Sequence, residues 1–194
     1  MEILFGFVGK DYALTASDNT AARSIVVQKR GEDKSRILSK HTLLSYNGEA
    51  GDTCQFSDYI AANIKLYEIK NGVALSTAAC TKFTRRELAN SLRSRNAYQV
   101  NLLISGSDPK TGVPSLFWLD HLASANKVNY TAHGYASYFI LSTMDLYWHE
   151  NLTLEEGLGL VKKCLKELKI RFIGNLPDFF IKVVDKNGIR EIKL

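Results

Sequence analysis

Cysteines and histidines are the side chains of this 194-residue sequence that could carry nucleophilic or metal chemistry. Cys54 falls near the predicted start of a helix, where the positive end of the helix dipole stabilises a thiolate. A cysteine hydrolase that uses Cys54 with His41 or His133 as its base is therefore one hypothesis. We favour the interpretation that Cys54, Cys80 and Cys164 are buried free thiols, since three widely spaced cysteines imply no disulfide framework.

The four histidines give no pattern typical of a metal site. His41, His121, His133 and His149 lie far apart, and none has a second histidine or a cysteine at the spacing of zinc ligands. The sequence also lacks a phosphate-binding glycine loop that ends in Lys-Ser or Lys-Thr. We therefore predict that the protein binds no metal and no cofactor.

Positive charge is concentrated in one part of the chain. The formal net charge is +5, and five lysines and arginines lie between residues 82 and 95. A basic nucleic-acid-binding protein is thus a second hypothesis. No nucleic-acid-binding motif accompanies the cluster, and its one aromatic residue, Phe83, is predicted to face the core. We favour a helix face that contacts solvent or protein.

The targeting signals that would indicate secretion or membrane insertion are not found in the sequence. Residues 1–6 have neither the positive region nor the long apolar run of a signal peptide, and no apolar run approaches the length that spans a membrane. Together with the free cysteines, this predicts a soluble intracellular protein with no membrane contact.

The elements that position these residues are organised around residues 34–60. Residues 42–46 predict a short buried strand, and residues 48–52 predict a glycine turn in which Asp52 caps the following helix. Apolar residues at steps of three and four from Phe56 continue that helix to about Gly72. A strand that leads directly into a helix is therefore expected here.

The rest of the chain alternates between groups of strands and pairs of helices. The predicted elements are a hairpin of residues 3–8 and 12–16, a turn at 17–20, a strand at 25–27, a charged loop at 28–34, a helix after Ser76, strands at 98–105, at 116–119 and ending near Tyr130, a helix at 136–147, a helix that Thr153 and Glu156 begin with a capping box, and a closing hairpin at Asn187-Gly188.

This order of elements predicts an α+β fold. Too few strands are separated by single helices for a parallel alternating sheet, and several strands, such as residues 102–104, are apolar on both faces. We therefore predict a four-layer α/β/β/α sandwich of two stacked antiparallel sheets flanked by helix pairs. No linker or low-complexity tract divides the chain, so residues 1–194 are predicted to form a single domain.

Several segments, in the same order along the chain, resemble those of proteasome β subunits. They are the opening hairpin, Gly48-Glu49-Ala50-Gly51-Asp52, Arg93-Ser94-Arg95 before Tyr98-Gln99-Val100-Asn101, Ala132-His133-Gly134-Tyr135, and the segment from Val183 to Arg190. The resemblance covers nearly the whole chain. It implies the amino-terminal nucleophile hydrolase fold and one proteasome β-type domain over residues 1–194 without a propeptide.

Active members of this family cleave themselves after a glycine, and this exposes a threonine as the new first residue. The threonine hydroxyl then attacks peptide bonds, with the α-amine of the same residue as the base. The resemblance therefore requires a Gly-Thr pair ahead of the hairpin. This sequence begins Met1-Glu2-Ile3 at the hairpin and contains no Gly-Thr pair. Removal of Met1 would expose Glu2, whose carboxylate is a poor nucleophile for an amide. We expect no catalytic residue.

The supporting residues of the family carry over incompletely. Its lysine corresponds to Lys34, whereas its aspartate after the second strand falls on Ser17, next to Asp18. Its remaining serine, aspartate and serine fall near Tyr135, Phe172 and Asn175. Because a lysine without a nucleophile has no transition state to stabilise, Lys34 is expected to be catalytically silent and a structural or ancestral remnant.

The resemblance implies a non-catalytic structural β subunit of the 20S proteasome core particle, which supports ATP- and ubiquitin-dependent protein degradation by building the inner β ring and the chamber wall. The implied partners are neighbouring β subunits of a seven-membered ring, α-ring subunits and the opposite β ring, with unfolded polypeptide passing through the chamber. Nucleic acid and membrane are not expected partners, and the implied location is the cytoplasm and nucleus. The alternatives are a catalytically active amino-terminal nucleophile or cysteine hydrolase of the same fold, and a basic nucleic-acid-binding protein.

Overall fold

The structure, a computed structural model, describes residues 2–23, 26–173 and 178–194. Within these ranges the chain forms twelve strands and four helices. In chain order they are β1 (Ile3–Val8), β2 (Tyr12–Asp18), β3 (Thr20–Arg23), β4 (Val26–Arg30), β5 (Ser35–Ser39), β6 (Thr42–Gly48), α1 (Ala50–Asn71), α2 (Thr77–Ser91), β7 (Val100–Ser107), β8 (Pro114–Leu119), β9 (Ala125–Val128), β10 (Tyr130–Gly134), α3 (Ser137–Tyr147), α4 (Leu154–Arg171), β11 (Phe179–Asp185) and β12 (Gly188–Ile192).

Two five-stranded sheets make up the centre of the fold. One sheet has the order β10-β1-β2-β11-β12 and the other has the order β5-β6-β7-β8-β9, and every pairing within them is antiparallel. Strands β3 and β4 form a separate two-stranded hairpin. The prediction of two antiparallel sheets is thus confirmed.

Strands that are apolar on both faces fit this arrangement, because successive side chains point to opposite faces of the sheet and both faces are covered. On β1, Ile3, Phe5 and Phe7 pack with α3 and α4, whereas Leu4 packs between the sheets against Leu103 of β7. Helices α1 and α2 cover the second sheet in the same way. The layers are therefore helix pair, sheet, sheet and helix pair, as the α/β/β/α prediction requires.

Local sequence signals fix several of the element ends. Ser76 caps α2 by accepting a hydrogen bond from the Ala79 amide, and Thr153 and Glu156 form both halves of a capping box on α4. Helix α1 ends at Gly72, whose φ of 68° lies in the left-handed region. These ends agree with the predictions.

Two predictions between residues 17 and 34 are wrong, and one strand after them is missing from the predictions. The predicted turn at 17–20 is strand instead, because Ser17 and Asp18 pair with β11 and tertiary pairing outweighs the turn preference of polar residues. The predicted loop at 28–34 is in β4 as far as Arg30, and β5 was not predicted at all. Ile25, the first residue of the predicted strand at 25–27, lies outside the described residues.

The start of α1 also differs from the prediction. Glu49, not Asp52, occupies the cap position, and no side chain caps the helix there. Asp52 lies in the first turn, and its carboxylate accepts a hydrogen bond of 2.9 Å from the amide of Gln99. The side chain therefore attaches α1 to the residue before β7. Strand β10 was not predicted, although it completes the first sheet beside β1.

Candidate functional site

Lys34 is the centre of the candidate site. It lies directly before β5 and is only 2% exposed, although its side chain carries a charge. Its ammonium nitrogen Nζ donates to Asp18 Oδ2 at 2.9 Å and to the Thr20 carbonyl at 2.9 Å, and it lies 3.1 Å from Glu2 Oε1. The ammonium group therefore donates two hydrogen bonds, one of them to a carboxylate, and forms a close ion pair with a second carboxylate.

Asp18 is the fully buried partner of Lys34. It is 0% exposed at the end of β2, and its second oxygen, Oδ1, accepts a hydrogen bond of 2.7 Å from the Ile3 amide at the head of β1. Oδ2 also accepts from the Thr20 amide at 3.2 Å. A buried carboxylate requires this set of donors, because without them the charge would be strongly destabilising.

Glu2 closes the site from the head of β1. Its Oε1 faces Lys34, and its Oε2 accepts a hydrogen bond of 2.7 Å from the amide of Gly48. Gly48 has a φ of 140°, and a Cβ at this position would lie 2.3 Å from the Gln99 carbonyl oxygen. A glycine is thus required for the backbone of β6 to present this amide to Glu2.

Two further residues line the site beside Glu2. Gly134, at the end of β10, has a φ of 71°, and a Cβ there would lie 2.6 Å from the Glu2 carbonyl oxygen and 3.2 Å from Asn47 Nδ2. Asn47 is buried, and its Oδ1 has no hydrogen-bond partner among the described residues. The head of β1 is therefore enclosed by polar groups from β6 and β10.

The site holds one positive and two negative side chains. Two carboxylates, Glu2 and Asp18, share the single ammonium group of Lys34. The Glu2 carboxylate also bonds to an amide that lies two residues before α1, whose amino-terminal end carries partial positive charge. The Lys34 ammonium group is thus neutralised by two carboxylates, so little of its positive charge remains to stabilise a developing negative charge.

The residues carried over from the family resemblance are only partly brought together. Asp18, not Ser17, meets Lys34. The rings of Tyr135 and Phe172 lie near each other, with centroids 6.3 Å apart, but no described hydrogen bond connects either side chain with Lys34. Asn175 lies outside the described residues.

Sequence reasoning missed Glu2 and Gly48 as members of the site. The sequence indicates Glu2 only as a poor nucleophile and Gly48 only as a turn residue. Asp18 had a usable signal, because it stands one position from the expected aspartate. No local signal marks Glu2 or Gly48, since the packing of one sheet on the other brings them together across 46 residues.

The structure does not support the hypothesis of a cysteine hydrolase. Cys54 lies in α1 and is partly exposed, so the prediction of three buried thiols is wrong for Cys54. His41 Nδ1 lies 3.2 Å from the Asp185 carbonyl, and His133 Nε2 lies 3.1 Å from the Leu102 carbonyl. No hydrogen bond joins Cys54 to either histidine, so neither is placed to act as its base.

His133 is held in its neutral form by its surroundings. It is buried, stacks on Trp118 with ring centroids 5.2 Å apart, and donates from Nε2 to the Leu102 carbonyl, which can only accept. Burial lowers the pKa of His133 to about 4, although the Leu102 carbonyl and Asp120 act in the opposite direction. The residue therefore contributes to packing as an uncharged ring.

The basic cluster on α2 and the possible metal ligands also form no recognisable site among the described residues. The basic residues Lys82, Arg85 and Arg86 are exposed on the outer face of α2, and Phe83 packs partly buried against the core. Among the residues that the structure describes, no group of three potential ligands could hold a metal ion. None of the described helices combines the length and the apolar character needed to cross a membrane.

Comparison with known proteins identifies the family. The profile of the family described as "Proteasome subunit" matches residues 3–184. The chain is 48% identical to the probable proteasome subunit beta type-4 of Schizosaccharomyces pombe over 194 residues, which is 100% of both chains. It is 44% identical to the proteasome subunit beta type-4 of Saccharomyces cerevisiae, over 99% of this chain and 97% of that one. It is also 44% identical to the proteasome subunit beta type-2-A of Arabidopsis thaliana, over 98% of this chain and 93% of that one. The match extends from the head of β1 through both sheets and all four helices, and the chain belongs to the proteasome subunit family.

Proposed function

We propose that the chain is a non-catalytic β subunit of the proteasome core particle, which contributes to protein degradation by building the inner β ring and the chamber wall. Its partners in this proposal are the adjacent β subunits of a seven-membered ring, the α ring and the opposite β ring. Unfolded polypeptide passes through the chamber, in a pathway that depends on ATP and ubiquitin. The full-length similarity to subunits named beta type-4 and beta type-2 supports this assignment.

The observation that carries the non-catalytic part of the proposal is the contact between Glu2 and Lys34. A threonine hydrolase of this family needs a hydroxyl beside the lysine at the head of the first hairpin. The side chain that reaches Lys34 from the head of β1 is the carboxylate of Glu2, at 3.1 Å. Because Asp18 and the Thr20 carbonyl accept hydrogen bonds from the same ammonium group, the lysine is engaged in holding the fold.

Exposed apolar side chains on both helix layers support the assembly part of the proposal. On the layer of α3 and α4, Tyr138 is 82% exposed and Leu146 is 73% exposed. On the other layer, Ile69 near the end of α1 is 69% exposed. Large apolar side chains grouped on a surface are typical of protein contacts, and a ring subunit needs contacts on several faces.

The first experiment measures the native mass of the tagged full-length chain purified from its own cells, with identification of the accompanying proteins. The proposal predicts elution in a particle many times larger than 21.7 kDa, together with other α and β proteasome subunits. Elution as a monomer or as a small oligomer of this chain alone would contradict it.

The second experiment tests the absence of catalysis. The purified particle is treated with an electrophilic peptide that forms a covalent adduct with nucleophilic threonines, and the intact mass of each subunit is measured. We expect adducts on the active subunits and an unchanged mass for this chain. An adduct on this chain would show that it carries a nucleophile and would overturn the non-catalytic assignment.

We also propose that the protein functions in the cytoplasm and nucleus without binding nucleic acid. The three free cysteines fit a reducing compartment. Fluorescence microscopy of a chain tagged at its native locus tests the location. Binding of labelled nucleic acid to the purified particle, measured across salt concentrations, tests the second statement, since nucleic-acid affinity would fall steeply with salt.

A further inference from the structure

The carboxylate of Glu2 is held at both oxygens by donors from distant parts of the chain. Lys34 Nζ lies 3.1 Å from Oε1, and the Gly48 amide donates to Oε2 at 2.7 Å. One donor is a charged ammonium group and the other is a backbone amide just before a helix. This combination is typical of sites that bind free anions, in which each oxygen of the ligand has its own donor.

Both donors are fixed by contacts that do not involve Glu2. Two hydrogens of the Lys34 ammonium group are bound by Asp18 and the Thr20 carbonyl. The backbone at Gly48 is held against Gln99, because the next amide, that of Glu49, donates to the Gln99 carbonyl at 3.0 Å. Removal of the Glu2 side chain should therefore leave the Lys34 ammonium group and the Gly48 amide in place, the first without its second carboxylate and the second without an acceptor.

The surroundings of the carboxylate suit a small polar ligand. The Glu2 side chain is 22% exposed, so solvent reaches the site. Asn47 is 3% exposed, and its Nδ2, a hydrogen-bond donor, lies close to Gly134 beside the Glu2 backbone. Asp18 offsets much of the Lys34 charge, so a free carboxylate should bind only weakly.

We propose that Lys34 and Gly48 form a carboxylate-binding site that the native chain fills with its own Glu2. In the native protein the internal ligand keeps the site closed to other carboxylates. When the Glu2 side chain is removed, the site takes a free small carboxylate such as formate. This inference concerns contacts within the chain and does not depend on the proposed function.

The test uses the Glu2→Ala variant of the full chain, purified in the assembly that it forms, and measures hydrogen exchange of the peptide that contains Gly48. Loss of a charge-assisted hydrogen bond predicts exchange at the Gly48 amide about tenfold faster than in the unmodified chain. Replacing chloride by formate at constant ionic strength and high concentration should slow exchange again in the variant, since a bound formate again gives the Gly48 amide an acceptor. The unmodified chain should not respond to formate.

The matched control is Glu2→Gln, whose amide fills the same space without a charge. Its Gly48 exchange should be the same in formate and in chloride. The Gly72 amide, which donates to the Glu68 carbonyl, reports any general effect of formate on stability and should not change. A formate response at Gly72 or in Glu2→Gln equal to that in Glu2→Ala would show a general salt effect and overturn the proposal.

Two other results would also overturn it. Unchanged Gly48 exchange in Glu2→Ala would show that Glu2 does not hold this amide. Faster exchange with no response to formate would show that Glu2 forms an internal ion pair and that its removal leaves no binding site. If Glu2→Ala does not accumulate in folded form, Glu2→Ser opens nearly the same space, and the same outcomes decide.

Discussion

Gly134 and Glu2 approach each other so closely that a Cβ on Gly134 would lie 2.6 Å from the Glu2 carbonyl oxygen. Gly134 is the last residue of β10, and Ile3, the residue after Glu2, is its partner across the sheet. The approach determines where β1 begins relative to β10. Because the Glu2 side chain then reaches Lys34 and Gly48, the position of the whole site depends on this one glycine.

Gly134→Ala should be strongly destabilising. Its φ of 71° disfavours any side chain, and the added Cβ would also collide with backbone rather than with a movable side chain. We expect a loss of about 3 to 5 kcal/mol in the free energy of unfolding, measured by denaturant titration of the purified full-length chain.

Gly72→Ala is the matched control, because Gly72 has a φ of 68° but open space around its Cβ position. It should cost only about 1 to 2 kcal/mol. Equal losses at the two positions would show that the contact with Glu2 is unimportant.

The capping box on α4 gives a prediction that depends on pH. Thr153 accepts a hydrogen bond from the Glu156 amide, and the Glu156 carboxylate accepts from the amide and hydroxyl of Thr153. Those hydrogen bonds lower the pKa of Glu156. A carboxyl group whose pKa is lowered in the folded state stabilises the fold above its unfolded pKa and loses that effect as pH falls through the folded pKa.

We therefore expect Glu156→Gln to be less stable than the unmodified chain at pH 7 and equally stable in acid, below the lowered pKa. Thr153→Ala, which removes the cap itself, should lose about 1 kcal/mol at pH 7. Thermal unfolding at several pH values measures both effects. A difference between Glu156→Gln and the unmodified chain that persists unchanged in acid would argue against the charged half of the capping box.

Elements with local signals were predictable from the sequence. The capping box, the Ser76 cap and the Asn187-Gly188 hairpin depend on residues within a few positions of one another, so their chemistry can be read directly. Strand β5 gave no such signal. Its sequence, Ser-Arg-Ile-Leu-Ser, contains only two apolar residues, and it forms a strand because β6 pairs with it.

The site was predictable only in part. The resemblance indicated Lys34, but the partners of Lys34 depend on how the two sheets pack on each other. Glu2, Asp18 and Gly48 belong to three strands or strand ends, and hydrogen bonds across 16 to 46 residues bring them together. Asp52 shows the same limit, because its carboxylate caps no helix and instead binds the Gln99 amide, 47 residues away. Contacts of this kind follow from the tertiary fold and have no short-range pattern.

His133 should make stability fall in mild acid. Burial lowers its pKa to about 4, whereas an unfolded histidine has a pKa of about 6.5. Between these values the unfolded state binds a proton that the folded state does not, so the free energy of unfolding falls as pH decreases from about 6.5 to about 4. From this residue alone we expect a loss of about 3 kcal/mol across that interval.

His133→Gln keeps a side-chain N–H for the Leu102 carbonyl but cannot titrate. The variant should therefore lose less stability than the unmodified chain between pH 6.5 and pH 4, as measured by denaturant titration at each pH. An unchanged slope in His133→Gln would mean that other groups cause the acid sensitivity.

Lys34 and Asp18 form the buried ion pair on which the site depends, and their substitution tests its structural role. Lys34→Met removes the charge but keeps most of the volume, and it leaves the Asp18 carboxylate fully buried without its ammonium partner. Breaking a buried pair in this way should cost about 3 to 5 kcal/mol of unfolding free energy.

The double variant Lys34→Met with Asp18→Asn removes both charges, and the asparagine oxygen can still accept from the Ile3 amide. It should be more stable than Lys34→Met alone. Denaturant titration of the two single variants and the double variant gives the coupling energy. Additive losses would mean that the two side chains do not stabilise each other, whereas a double variant that recovers stability shows that Lys34 is retained to neutralise Asp18.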